Sequence, residues 1–543
     1  MGKGRSWAFA YGLLVGIASA IESSAECVLA TTTVYLPTTV YVFAPNGTSS
    51  HGGDSCIVTS SSSITMGTPT SSSTETTDVV GTPTTISSVP TSSSGPGTTI
   101  SSTSLSSISV TPTSRGSSNI TTGSSVSTST SFPTPTSIGG LPPPPPPPPS
   151  GPFRGFKNAV YFTNWGIAQK KYVPERLPVD DLSHVLYAFA DIAPNGTVLS
   201  ANPEVDLAQK YPDDKSWERG HNAYGAVKQL YIHKKWNRQL KVLLSVGGGD
   251  YSPKFAAATS TEMRRQTFAK SAVKLVTDWG FDGIDIDWEY PTNEAERDSL
   301  VKLVAACRVA FDRYSFHNHL AYRFLVTVAS PATPLSWKFV DLPRMDPYID
   351  IWHLMSYDYT GSWTPRSGHQ ANVFANKANE ASTPLNTNDA VRYYESQGIK
   401  GQKIVIGSPL YGRSFNGTSG LGENYTSIGT GDPQPGVWYY KDLPKAGARE
   451  LFDDVAKATY SYDQSARELI SYDNVRSTAF KANYVRDRRL GGAFFWEASG
   501  DRADGRSLVK TMSRTLHWLD RTPNNLRYPT SQYMNIRFGM PGA

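Results

Sequence analysis

Cysteine, histidine and charge are all scarce in this 543-residue chain, which has three cysteines, nine histidines and 18% charged residues. Three cysteines leave room for one disulfide at most. Cys27 and Cys56 bracket a patch of higher β-propensity, Thr31 to Phe43, and could pair in an oxidising compartment; the patch reads equally as a small ordered cap or binding module and as a sticky, unfolded remnant. Cys307 falls on the stripe Leu300, Leu303, Val304, Cys307, Phe311, which has helical spacing. It reads as a buried core thiol, because no base lies near it to make it a nucleophile. Lysine plus arginine number 51 against 46 for aspartate plus glutamate, and no basic cluster tracks phosphates, so nucleic acid is not an expected partner. Long apolar runs are missing as well. Trp7 to Ala20 is too short to span a bilayer. With Lys3 and Arg5 before it and small residues at Ala18-Ser19-Ala20 and Ser23-Ser24-Ala25 after it, the segment reads as a secretory signal over residues 1–25, cleaved after Ala20 or Ala25. An exported chain with no transmembrane segment is expected.

Residues 26–150 are dominated by Ser, Thr, Pro and Gly and carry almost no charge, which also accounts for part of the low charged fraction. Such a segment buries too little apolar surface to offset its chain entropy, so it reads as a disordered, O-glycosylated stalk. Pro142 to Pro149 ends it as a stiff spacer.

From Phe156 to about Leu519 short apolar runs alternate with helical patterns. The runs are Ala159–Trp165, His184–Ala190, Lys241–Val246, Gly283–Trp288, Phe324–Ala329, Ile351–Tyr357, Ile404–Leu410 and Gly491–Trp496. Met263, Phe268, Ala272, Leu275, Val276 and Trp279 mark one helix, ended by Gly280. Eight strands, each followed by a crossover, predict an α/β fold: a (β/α)8 barrel over 151–520 with its chemistry at the strand C-terminal ends. The gap after the seventh strand is too long for one helix, so residues 412–481 are expected to form an inserted α+β subdomain walling one side of a cleft. Residues 521–543 are left as a C-terminal tail.

The densest chemistry lies in Asp282-Gly-Ile-Asp285-Ile-Asp287-Trp-Glu289-Tyr290. Strand alternation puts Asp285, Asp287 and Glu289 on one face and Ile284, Ile286 and Trp288 on the other. Like charges on a partly buried face repel, so at least one carboxyl should hold its proton where a free one would not. Such an acid can protonate a poor leaving group such as a sugar oxygen. No histidine or cysteine neighbours these carboxylates in sequence, so neither a transition-metal site nor a cofactor is expected. Asp282 is oddly spaced from the three, should face away from them, and is read as an anchor for the strand start.

This stretch resembles the signature of the family 18 glycoside hydrolases, the chitinases. So do Ser245-Val-Gly247-Gly248, Met355-Ser-Tyr357-Asp358-Tyr359, Tyr411-Gly-Arg413 and Gly491-Gly-Ala-Phe-Phe-Trp496-Glu, each at a strand end. The resemblance covers the barrel and leaves out the stalk. It implies retention through attack by the substrate's own 2-acetamido oxygen, without an enzyme nucleophile. Glu289 would be the acid and then the base, Asp287 would bind the acetamido N–H, Asp285 would share a proton with Asp287, and Tyr357 would bond the acetamido carbonyl. Tyr161, Phe189, Tyr290, Met355, Asp358, Tyr411 and Arg413 would line the pocket, with Trp496 as the platform under the sugar. Chitin or chito-oligosaccharides are the implied partners of a secreted monomer.

One position departs from the pattern. The family commonly carries an aromatic directly after Ser-x-Gly-Gly, and this chain has Gly249, with Trp363 as a partial substitute. Competing readings are a lectin on the same barrel, a wall protein anchored to chitin, and an endo-N-acetylglucosaminidase acting on N-glycan cores. The sequons Asn195-Gly-Thr, Asn416-Gly-Thr and Asn424-Tyr-Thr would place further glycans on barrel loops if the chain passes through a eukaryotic secretory route.

Overall fold

The computed structural model describes residues 154–214 and 219–541. The signal, the stalk with Cys27 and Cys56, and the polyproline run lie outside these residues.

Runs rich in β-branched and aromatic residues, flanked by helical segments, become strands covered on both faces. They are Lys157–Thr163 (β1), His184–Ile192 (β2), Lys241–Gly247 (β3), Gly283–Asp287 (β4), Leu325–Pro331 (β5), Ile351–Met355 (β6), Ile404–Pro409 (β7) and Gly492–Trp496 (β8). Each is parallel to its neighbour in chain order, and β1 pairs with both β2 and β8, so the sheet closes into the expected barrel. Two apolar cores follow from the alternation. Ala159, Tyr161, Leu243, Ile351, Val405 and Phe494 fill the interior, while Val160, Phe162, Ile284 and Ile286 face the surrounding helices.

The helix Glu262–Trp279 starts on Thr261, whose side chain accepts from the Arg264 N–H, and stops at Gly280, which takes φ +71°. Met263 is 76% exposed, so this first-turn residue lies off the apolar stripe on which the sequence placed it. Cys307 is buried in the helix Glu294–His317. After β7 the chain builds a six-stranded antiparallel sheet whose strands run from Tyr411–Asn416 to Glu468–Tyr472, and the helix Val475–Asp487 then leads into β8.

Residues 519–540, expected as a tail beyond 520, strap the N-terminal end of the barrel. The Asn524 side chain donates to the carbonyls of Lys234, Asn237 and Leu240, and the Asn525 N–H donates to Asp282. Tyr528 and Ile536 are fully buried there. Among the described residues no helix is long and apolar enough to cross a membrane.

Candidate active site

Strand β4 brings the carboxylates together. Asp285 and Asp287 point into the barrel, and Glu289 follows immediately past the strand, half-buried at the C-terminal end. Trp288, on the opposite side, stacks on Phe255 with ring centroids 5.1 Å apart and planes 6° apart. The turn is fixed from below by Ser252, whose hydroxyl accepts from the Glu289 N–H at 2.7 Å and donates to the Asp287 carbonyl at 3.3 Å. Gly247 and Gly248 complete this junction with φ of +112° and +74°. A Cβ on Gly247 would lie 2.1 Å from the Asp287 carbonyl oxygen, and one on Gly248 would lie 2.3 Å from the Phe189 ring. The Ser-Val-Gly-Gly motif is therefore a requirement for close approach between β3, β4 and Phe189.

Asp285 is fully buried, and each of its oxygens has two polar partners. Oδ2 accepts from the Tyr161 hydroxyl at 2.9 Å and the Ser245 hydroxyl at 2.8 Å. Oδ1 accepts from Thr327 at 2.6 Å and lies 3.0 Å from His353 Nδ1. Burial alone would raise its proton affinity, but the His353 contact and the two hydroxyls on Thr327 and Ser245 outweigh that and hold the carboxyl below the usual range. Asp287 is treated in the opposite way. Only 2% exposed, its Oδ1 has no hydrogen-bond partner in the structure. Burial first, then the negative neighbours Glu289 and Asp285, push its carboxyl well above the usual range. One buried carboxyl thus resists protonation while the next along the strand favours it.

The anticipated pocket residues gather around this pair. Tyr161, Phe189 and Met355 belong to the interior cluster, and Tyr290, Tyr357 and Trp496 pack against it. Trp496 stacks on Phe189 at 5.8 Å and lies 5.1 Å from Tyr161. Phe189 reaches the interior through an irregularity in β2. The register with β3 shifts between Ala188 and Ala190, so Ala188 and Phe189 both face inward, where strict alternation would separate them. Tyr357 stands over Gly407, where a Cβ would come 2.6 Å from its ring. Burial, with Tyr411 and the carboxylates of Glu289 and Asp287 added, makes its phenol hold its proton strongly.

Asp358, Tyr411 and Arg413 form a unit of their own beside Tyr357. Arg413 clamps Asp358 through Nε and Nη2 at 2.5 and 2.7 Å, and the Tyr411 hydroxyl donates to Asp358 at 2.6 Å. The guanidinium lies 4.6 Å from the Trp363 ring centroid, so Trp363 is pinned to the insertion's first strand. Asp282 faces away from all of this, at the other end of the barrel. It accepts from Lys234 at 2.8 Å, the Val242 N–H at 2.8 Å, Tyr322 at 3.0 Å and the Asn525 N–H at 2.9 Å.

Sequence reasoning missed Thr327, His353, Ser252, Trp165 and Tyr251. Thr327 was findable, since a barrel in chain order puts it directly across from Asp285 on the neighbouring strand. Trp165 stacks on Phe189 at 5.8 Å, and Tyr251 packs against the interior cluster just after the Gly249 position that lacks the usual aromatic.

Residues 157–501 match the model of the glycosyl hydrolases family 18. The chain is 47% identical over 383 residues to Endochitinase 1 of Metarhizium robertsii, covering 70% of this chain and 90% of the relative. It is 45% identical over 386 residues to Chitinase 1 of Aphanocladium album, covering 71% and 91%. Among solved structures, the catalytic domain of a psychrophilic chitinase B from Arthrobacter TAD20 superposes with a TM-score of 0.62 at 26% identity, covering 68% of this chain and 98% of that one. Together with the closed eight-stranded barrel and the carboxylates at the end of β4, these likenesses establish that the chain belongs to family 18 of the glycosyl hydrolases.

Proposed function

We propose that this protein is a secreted, endo-acting chitinase that cleaves β-1,4-linked N-acetylglucosamine polymers with retention, using the substrate's acetamido group in place of an enzyme nucleophile. The observation that carries the reading is the opposed treatment of Asp285 and Asp287. Three hydroxyl donors and the His353 contact hold Asp285 as an anion, so the proton shared by the pair rests on Asp287, whose Oδ1 has no protein partner. A buried carboxyl with spare hydrogen-bonding capacity beside Glu289 suits the acetamido N–H of a bound sugar and the positive charge that develops there. The Tyr357 phenol, which keeps its proton, would donate to the acetamido carbonyl as that oxygen turns on the anomeric carbon.

Glu289 protonates the departing glycosidic oxygen and then, as a carboxylate, takes a proton from the water that opens the cyclic intermediate. Trp496, Phe189 and Tyr161 offer an aromatic floor for the apolar face of the sugar. The barrel and its insertion, about residues 151–520, make up the catalytic unit, and the signal and stalk serve export and reach. The test is release of reducing ends from colloidal chitin and of mixed-length products from soluble oligomers. A protein that binds chitin without releasing reducing ends would fit a lectin, and products cut only one unit from a chain end would exclude endo action.

A further inference from the structure

His353 sits in the barrel interior, 1% exposed, midway along β6. Its Nδ1 lies 3.0 Å from Asp285 Oδ1, and its Nε2 is buried with no hydrogen-bond partner in the structure. The ring is held edge-on by Tyr161 at 6.5 Å and by Phe494 at 5.3 Å. Asp285 therefore supplies the ring's polar anchor, and apolar edges supply the rest.

The tautomer follows from counting lone pairs. A carboxylate has two acceptor sites on each oxygen, and Asp285 meets two partners on each. Three of these are hydroxyls whose hydrogens can point at it. If Asp285 carried the proton, it would have to donate to a bare His353 Nδ1, and the ring hydrogen would then sit on Nε2, buried with no acceptor. The arrangement is satisfied when Asp285 is ionised and His353 donates from Nδ1.

We propose that His353 is a positioning residue for the catalytic carboxylates: its Nδ1–H holds Asp285 as the anion and so leaves the mobile proton of the buried pair on Asp287. This rests on the reading of Asp287 given above. The other titratable groups facing the ring are Tyr161 from β1 and His184 from β2, with Lys157 and Lys241 beyond His184. The neighbours in register on β5 and β7 are Ala329 and Val405, and β8 contributes Phe494, none of which titrates. Asp287, Glu289 and Tyr357 lie toward the mouth of the barrel. His353 is thus the nitrogen donor that touches the carboxylate set from inside the barrel.

Losing this donor makes it easier for Asp285 to take up a proton as pH falls, which removes the anion that keeps the proton on Asp287. In His353→Met, which fills a similar volume without a donor, the acid limb of the kcat/KM profile on a soluble chito-oligosaccharide should move to higher pH by about one to two units, as expected for one hydrogen bond to a charged group. His353→Asn, which keeps an N–H donor at similar reach, should restore most of that limb. A purely structural role would lower the whole profile without moving it. An unmoved acid limb in His353→Met overturns the proposal, and so does an equal shift in both variants.

If His353→Met does not fold, the wild-type protein decides the question. With ¹⁵N-labelled histidine, and the resonance assigned by its loss in His353→Asn, Nδ1 should be protonated throughout the active pH range. An Nε2–H tautomer with bare Nδ1 overturns the proposal. This readout needs no turnover, so it stands even if the wild type releases no reducing ends and the functional reading fails.

Discussion

Strand β4 has buried carboxylates at both ends, and the two ends are built on opposite electrostatic plans. At the N-terminal end Asp282 faces Lys234, both fully buried, and backbone and phenol donors fill the remaining acceptor sites. At the C-terminal end Asp287 has like charges for neighbours and an oxygen with no partner. A buried carboxylate that is matched by a cation and saturated with donors serves stability. One left unsaturated beside other carboxylates is costly to the fold and useful only if a ligand completes it. Only a few residues separate the two on one strand, so residue type and burial do not distinguish anchor from reagent; the partners do.

The sharpest break in this contrast is Glu289→Gln. The amide keeps the shape but has no proton to donate, so turnover on chitin should fall roughly a hundred- to ten-thousandfold while oligosaccharide binding and the melting temperature stay near wild type. A near-normal rate would remove Glu289 from the role. At the opposite end, Lys234→Met leaves Asp282 without its cation in a buried site and should cost about 3–5 kcal/mol in denaturant unfolding, with kcat of the folded fraction unchanged. A stable variant with a reduced kcat would mean that the two ends are not independent.

Asp287→Asn should lower kcat more than it raises KM, by roughly a hundredfold or more, since its assigned partner is charge that develops in the transition state. The same variant carries a pH signature in stability. Folded Asp287 has a raised proton affinity, so between its unfolded pKa near ~4 and its folded one the native state binds more protons than the unfolded chain. Wild-type stability therefore falls as pH rises through that window. The Asn variant has no such group, so its denaturation midpoint should gain on the wild type as pH rises, and a constant difference would contradict the assignment. The smallest effect is expected from a chain beginning at Gly151, which should hydrolyse short soluble oligomers at the full-length rate. Loss of folding or of that activity would make the preceding region part of the catalytic unit.

The contrast itself was half legible in the sequence. The alternation Asp-Ile-Asp-Trp-Glu set three carboxylates on one face and Asp282 apart from them, and eight apolar runs with crossovers gave the barrel. What the alternation could not show was which carboxylate keeps its proton. That depends on Thr327 and His353, which reach Asp285 across the barrel from strands 40 or more residues away. Phe189 was assigned to the pocket by resemblance, and the physical reason, a register shift in β2, leaves no mark in composition. The helical stripe misplaced Met263 because a first-turn residue can satisfy the spacing and still lie beyond the edge of the core. Residues 521–540 contain no continuous apolar run like those of the strands, yet they attach through the buried Tyr528, Tyr533, Ile536 and Met540 as well as through the hydrogen bonds of Asn524 and Asn525.

That strap has a consequence for how the protein is made. The Phe156 N–H donates to the Trp518 carbonyl, β1 pairs with β8, and the Asp282 site is completed by the Asn525 N–H. One of the first strand's two partners, β8, thus lies more than 330 residues downstream, and the Asp282 site lacks its Asn525 donor until residue 525 arrives. A nascent chain emerging from the ribosome can form helices and adjacent strand pairs, but it cannot close the barrel until synthesis is nearly finished.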